Sequence, residues 1–263
     1  HHGLSRRQIP HRRQPVLPKH TLSIGVGREA AEFEALYNNA GLSLEMALSR
    51  GGDQAVVKDG AKITYYGGKS QQVEKNTRVK ARVKAHALRE IITGKDRVIV
   101  MGHRMPDVDS FGSAVGIYRI AQTLGRKAHI VLNEATTSVQ PLVELFKNNP
   151  EYDEDMIITS QQAIDMAGSN TVLVVVDVNK PSITECPDLL RFCKSVVVLD
   201  HHRQGTETIE NATLSYVEPY ASSACEMVSE ILQYTYDNIK IRTEEADCMY
   251  SGIMIDTNNF MTK

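Results

Sequence analysis

RVIVMGHRMPDVDS, residues 97–110, runs from four consecutive apolar residues into a histidine and then two aspartates two positions apart. The apolar run reads as a strand buried on both faces, because it lacks the alternation of a half-exposed sheet. Two like charges beside such a run repel each other and are costly to desolvate, and a bound cation would reverse that penalty.

The same pattern recurs further along. Apolar runs KAHIVL (127–132), TVLVVVD (171–177) and SVVVLD (195–200) alternate with helical patterns over 110–124, between the second and third runs, and from Ser223 and Glu244 onward. This predicts an α/β fold, a parallel sheet covered by helices on both faces. Ser223 with Glu226 predicts a capping box, and Thr243 before Glu244 and Glu245 predicts an N-cap with acids in the first turn.

Three of these strands end in charged groups: His103, Asp107 and Asp109 after the first, Asp177 after TVLVVV, and Asp200, His201 and His202 at the end of SVVVLD. In an open parallel sheet the carboxyl ends of the strands share one edge, so residues distant in sequence can converge there. Asp256, flanked by Asn258 and Asn259, is a further candidate. Singly, each has an ordinary explanation: a strand-terminal Asp caps the next helix, and a lone His is a satisfied polar side chain. Together, seven acids and imidazoles at the ends of apolar strands predict cations. Mixed Asp and His donors without thiolate suit Mn²⁺ better than structural zinc, with Mg²⁺, Fe²⁺ and Co²⁺ as the other ions such donors accept. Two ions are favoured over one, and a two-metal site implies hydrolysis of a phosphoester or phosphoanhydride. One carboxylate must then bridge, and Asp177 on a central strand is the choice.

The 263 residues are 41% hydrophobic and 24% charged, enough for a real core: one complete domain and part of another. A net charge of −2 argues against duplex nucleic acid or an anionic membrane as whole-chain partners. The four cysteines lack CxxC spacing, which predicts reduced thiols in a cytoplasmic setting and no zinc site. No apolar stretch approaches the roughly 20 residues of a membrane span, and no signal peptide is visible. Residues 1–20 read as a flexible arm or cloning remnant. Residues 21–67 read as strand, helix, strand, and 68–94 as a basic linker helix whose inner face would be Val73, Val79, Val83 and Leu88. Residues 95–263 hold the strand-and-helix domain.

GHRMPDVDSFGSAVGI, VVVDVNKP, the stretch from VVVLDHHRQG through EPYASSACEMVSEIL, and SGIMIDTNNF together resemble the signatures of the DHH phosphoesterase superfamily. The wording around DHHRQG and EPYASSACE is most similar to the GdpP (YybT) type of cyclic di-AMP phosphodiesterase. That resemblance implies that His103 and Asp107 hold one manganese, that Asp109, His201 and Asp256 hold a second, and that Asp177 bridges them. It implies that His202 contacts the substrate phosphate, that Asp200 orients the neighbouring histidines, and that cyclic di-AMP is opened to linear pApA. Residues 21–58 similarly resemble the final strand, helix and strand of a degenerate GGDEF domain. GGDQA imitates the GGDEF signature in letters but follows the terminal helix, so Gly51 reads as a helix stop and no cyclase activity is expected.

Members of this family also carry two transmembrane helices and a PAS domain upstream, and a DHHA1 domain with a GGGH stretch downstream. The chain stops seven residues past Asp256. The expectation is therefore metal binding with weakened turnover here, and a membrane-tethered enzyme with its catalytic domain in the cytoplasm at full length, a homodimer being one allowed assembly. The rival readings are a DHH-type oligoribonuclease or exonuclease, a pyrophosphatase, and a non-catalytic nucleotide-binding module.

Overall fold

The structure is a computed structural model that describes residues 22–28, 32–49, 52, 54–60, 62–67 and 70–261. The arm expected at 1–20 and the helix stop expected at Gly51 lie outside these residues.

Strand β1 (Ile24–Arg28), helix α1 (Phe33–Ser49) and strand β2 (Gln54–Asp59) form a parallel strand, helix, strand unit. A third strand, β3 (Lys62–Gly67), pairs antiparallel with β2 and was not expected from the sequence. Its signal is Asp59-Gly60: Asp59 pairs with Lys62, leaving two residues for the turn, and Gly60 takes the positive φ of 59° that such a turn needs.

Helix α2 (Ser70–Thr93) bears out the expected inner face at Leu88 and corrects it at Val79 and Val83. Val79 and Val83 are 64% and 61% exposed, whereas Ala81, Ala85, Leu88 and Ile92 are fully buried. Ala85, Leu88 and Ile92 enter the core of the large sheet, and the side chain of Val73 lies outside the described set. Ala81 and Ala85 share the buried face with Leu88 and Ile92, and the two valines fall outside it.

The second unit comprises β4 (Arg97–Met101), α3 (Val108–Thr123), β5 (Lys127–Val131), α4 (Gln140–Glu144), β6 (Ile157–Ile158), α5 (Ser160–Met166), β7 (Thr171–Val176), α6 (Leu189–Phe192), β8 (Ser195–Asp200), β9 (Leu214–Val217), α7 (Ala224–Thr235) and α8 (Thr243–Asp256). The sheet order is β6-β5-β4-β7-β8-β9, with every neighbouring pair parallel. Residues alternate between its faces. Val98 and Val100 join one apolar cluster with α2, α3, α7 and α8, while Ile99 and Met101 join another with α5 and α6. Both faces are covered, which is why the strands carry uninterrupted apolar runs. The chain starts at β4, builds to one side and then returns past it, so the direction reverses between β4 and β7, where open α/β sheets bind ligands. The short strands β6 and β9 were not expected.

Two capping expectations are corrected. Ser223 Oγ accepts from Glu226 N at 3.0 Å, but the Glu226 carboxylate reaches back to Ser222, not to the Ser223 amide. Arg242, not Thr243, is the N-cap of α8; its amide donates to Glu245 Oε2 at 3.0 Å, and Thr243 is already helical. Helix α8 lies unusually close to α7 and α3: a Cβ at Gly252 would sit 2.5 Å from Cys225 Sγ of α7 and 3.0 Å from Asp109 Cα of α3. All four cysteines are buried and free. No helix among the described residues is long and apolar enough to cross a membrane.

Candidate metal centre

The charged residues meet at the carboxyl edge of the large sheet. Beyond β4 the chain pairs briefly with the segment after β7, through a His103–Thr184 bridge and an Arg104 N to Ile183 O bond of 2.8 Å, which holds the His103 backbone. Asp107 is the N-cap of α3 and accepts from Ser110 N at 2.9 Å, so the ordinary explanation of a strand-terminal aspartate is also true here. Asp109, in the first turn of α3, is 1% exposed, and its oxygens accept from Ala224 N at 2.7 Å and Cys225 N at 2.8 Å, the first amides of α7. Helix α7 thereby aims its positive end at Asp109 and fixes its rotamer.

Asp177 directly follows β7 with a positive φ of 58°, rare for a residue other than glycine, Asn or Asp. Its side chain lies between two histidines: Oδ2 is 3.4 Å from His103 Nε2, and Oδ1 is 3.4 Å from His201 Nε2. His103 Nε2 is also 3.5 Å from Asp107 Oδ2, and His201 Nε2 lies 3.7 Å from Asp109 Oδ2 and 3.4 Å from Asp256 Oδ2. His103, Asp107 and Asp177 thus form one group, and Asp109, His201 and Asp256 another. Donor atoms within each group lie within 4.8 Å of one another, as do those of Asp177, His201 and His202.

His202 is turned differently. Its Nδ1 is 2.8 Å from Asp200 Oδ1, its amide donates to the same oxygen at 3.1 Å, and its side chain is half exposed. Asp200 is fully buried, and its hydrogen bonds go to His202 and to Asn179. Asn179, which the sequence alone does not single out, is buried and donates from Nδ2 to Asp200 Oδ2. The only hint was its place two residues after Asp177 in VVVDVNKP.

The cluster is electrostatically unsatisfied without positive charge. Burial and the neighbouring Asp177 charge push Asp109 up to about 6, and burial with the Asp109 charge pushes Asp256 up to about 7. Burial opposes protonation of the histidines, but the adjacent carboxylates overcome it, raising His103 to about 10 and His201 to about 9. Asp177 stays below the ordinary carboxylate range: burial opposes this, but the facing imidazoles prevail. His202 is raised chiefly by its hydrogen bond to Asp200.

The residues fit divalent cations. Asp177 Oδ1 and His201 Nε2 are buried without a hydrogen-bond partner among the described residues. The separations of 3.4 to 3.7 Å between facing donors lie at or just beyond the upper end of the edges, about 3 to 3.5 Å, of a coordination shell with bonds near 2.1 Å. The four carboxylates of the two groups carry the formal charge that two divalent cations balance.

Comparison with known proteins agrees with this architecture. Residues 97–253 match the DHH family, N-terminal domain, and residues 9–64 match the GGDEF domain of the cyclic-di-AMP phosphodiesterase GdpP-like type. The chain is 43% identical over 245 residues to cyclic-di-AMP phosphodiesterase GdpP of Bacillus subtilis, covering 91% of this chain and 37% of that protein. It is 42% identical over 243 residues to cyclic-di-AMP phosphodiesterase PdeA of Listeria monocytogenes, with the same coverage. The chain therefore spans little more than a third of the length of these relatives. Among solved structures, an exopolyphosphatase-related protein from Bacteroides fragilis shares the fold, with a TM-score of 0.56 and 21% identity over 68% of this chain and 52% of that one. With six parallel strands delivering the GHRMPD, DVNKP and DHH residues to one sheet edge, and with a family match over most of that sheet, the chain belongs to the DHH family.

Proposed function

We propose that residues 95–263 carry the two-cation centre of a phosphodiesterase that hydrolyses cyclic di-AMP to linear pApA. The observation that carries the reading is Asp177, whose two oxygens face different histidines, an arrangement that lets one carboxylate serve two cations. His103 and Asp107 would hold one ion and Asp109, His201 and Asp256 the other, with Asp177 common to both. Mn²⁺ is the favoured ion, with Mg²⁺, Co²⁺ and Fe²⁺ compatible with the same donors. When bound, the pair supplies Lewis acidity toward the phosphate and a lowered pKa for the attacking water. The protein's own groups do the positioning. The α7 amides hold Asp109, and Asp200 engages His202 Nδ1 and favours the protonated ring, whose Nε2–H can then donate to a phosphate oxygen.

The choice of cyclic di-AMP rests on the two relatives and on the GdpP-like match at residues 9–64. On this reading 21–67 is the final part of a degenerate GGDEF domain and 68–94 connects it to the catalytic unit, which works in the cytoplasm of a membrane-tethered protein. Hydrolysis of cyclic di-AMP with Mn²⁺, followed by chromatography, tests it on this chain and on one extended toward the full length of the relatives, each beside Asp177→Ala. Formation of pApA that disappears in Asp177→Ala is expected. Cleavage of pApA or pyrophosphate in place of cyclic di-AMP, still dependent on Asp177, would overturn the substrate and keep the centre.

A further inference from the structure

We infer that Asn179 is a positioning residue for His202, acting through Asp200 and not through the cations. This rests on the proposed phosphate contact of His202 and deepens it. Asn179 follows Asp177 by two residues, so the same left-handed turn that swings Asp177 between the histidines also carries the Asn179 side chain under the end of β8. There it is 3% exposed, and its Nδ2 donates to Asp200 Oδ2 while lying 3.4 Å from the His202 carbonyl.

Asp200 is thereby divided in two. Oδ1 takes the His202 amide at 3.1 Å and faces the ring Nδ1 at 2.8 Å, and Oδ2 is held by Asn179. A carboxylate at the end of a strand can rotate about χ2, and a donor on the second oxygen removes that freedom. His202 needs the help more than His103 or His201: its side chain is 59% exposed against 19% and 15%, so packing alone does not hold its ring. The main chain adds a second link, because the Asn179 carbonyl accepts from Ile209 N at 3.0 Å and so ties the segment after the histidine pair to the end of β7. One residue connects the turn that places the shared carboxylate to the ring proposed to meet substrate.

The test uses Asn179→Ala and the near-isosteric Asn179→Leu, which removes the donor without opening a cavity. In the Mg²⁺-loaded chain, nitrogen-detected NMR should show a slowly exchanging His202 Nδ1–H that both variants lose, while Mn²⁺ affinity by calorimetry stays at the wild-type value. In the extended enzyme, kcat for cyclic di-AMP should fall about 10- to 100-fold. Combining either variant with His202→Ala should cost less than about twofold beyond His202→Ala alone, since both act on one contact. An Nδ1–H signal that persists in both variants, an Mn²⁺ affinity that falls with it, or losses that multiply with His202→Ala would each overturn the inference. If wild type cleaves no cyclic di-AMP, the proposed substrate fails, and the NMR and Mn²⁺ measurements still decide the role of Asn179.

Discussion

Asp177 holds a φ of 58° at the end of a fully buried strand, a conformation that most side chains avoid and that Asn and Asp tolerate best. Backbone conformations of this kind cost of order 1 to 3 kcal/mol and persist where the surroundings over-determine them. Asp177→Asn keeps size and backbone tolerance but removes the charge facing His103 and His201. The expected result is an unchanged far-UV circular dichroism spectrum with Mn²⁺ affinity lowered by more than about 100-fold, beyond the loss typical of residues that only support ligands. Calorimetric titration with Mn²⁺ checks this, and two ions bound with wild-type affinity would remove Asp177 from the bridge. At this scale the sequence was informative about Asp177, His103 and the DHH histidines because acids and imidazoles after apolar runs are conspicuous. It was silent about Asn179, since an uncharged amide in a turn has the same local signature whether it faces solvent or a buried carboxylate.

Helix α8 brings Asp256 to the site, and two contacts set where it lies. The first is the close approach at Gly252. In Gly252→Ala the new methyl would collide with Cys225 Sγ and the Asp109 backbone, so α8 must move away from α3. A loss of about 1 to 3 kcal/mol in urea denaturation is expected, with weaker Mn²⁺ binding because Asp109 and Asp256 separate. The second is Glu245, fully buried at the start of α8, which takes Arg119 Nε of α3 at 2.8 and 2.9 Å and also caps its own helix through Arg242 N. Glu245→Ala leaves a guanidinium only 14% exposed without its partner, and the expected cost is about 3 to 5 kcal/mol in the same assay. A cost under about 1 kcal/mol would mean that the pair behaves as a surface ion pair. The starts of α7 and α8 and the inner face of α2 were only partly legible. Arg242 lacks the side chain of a usual N-cap, and the exposed Val79 and Val83 imitate an inner face because periodicity reports which residues share a side, not which side is covered.

Across the whole molecule the apolar core and the charged edge are separate: the two clusters flank the sheet, and the carboxylates gather at its end. Chelation with EDTA should therefore leave the secondary structure intact and lower the melting temperature, and added Mn²⁺ should restore it in a concentration-dependent way, by about 2.7 kcal/mol at a hundredfold excess over Kd. Differential scanning fluorimetry reads this directly; a melting temperature insensitive to both treatments would argue that the folded state binds no cation. The sequence by itself determined the long strands β4, β5, β7 and β8, their burial on both faces, and the acids and histidines at their ends, because those features are written in runs of neighbouring residues. Only the tertiary structure decided that the two-residue β6 and four-residue β9 join the sheet, that alanines of α2 face inward, and that the two oxygens of Asp177 face different histidines. Each of these depends on partners far away in the chain, and no local pattern records which distant surface a short strand, a helix face or a carboxylate oxygen will meet.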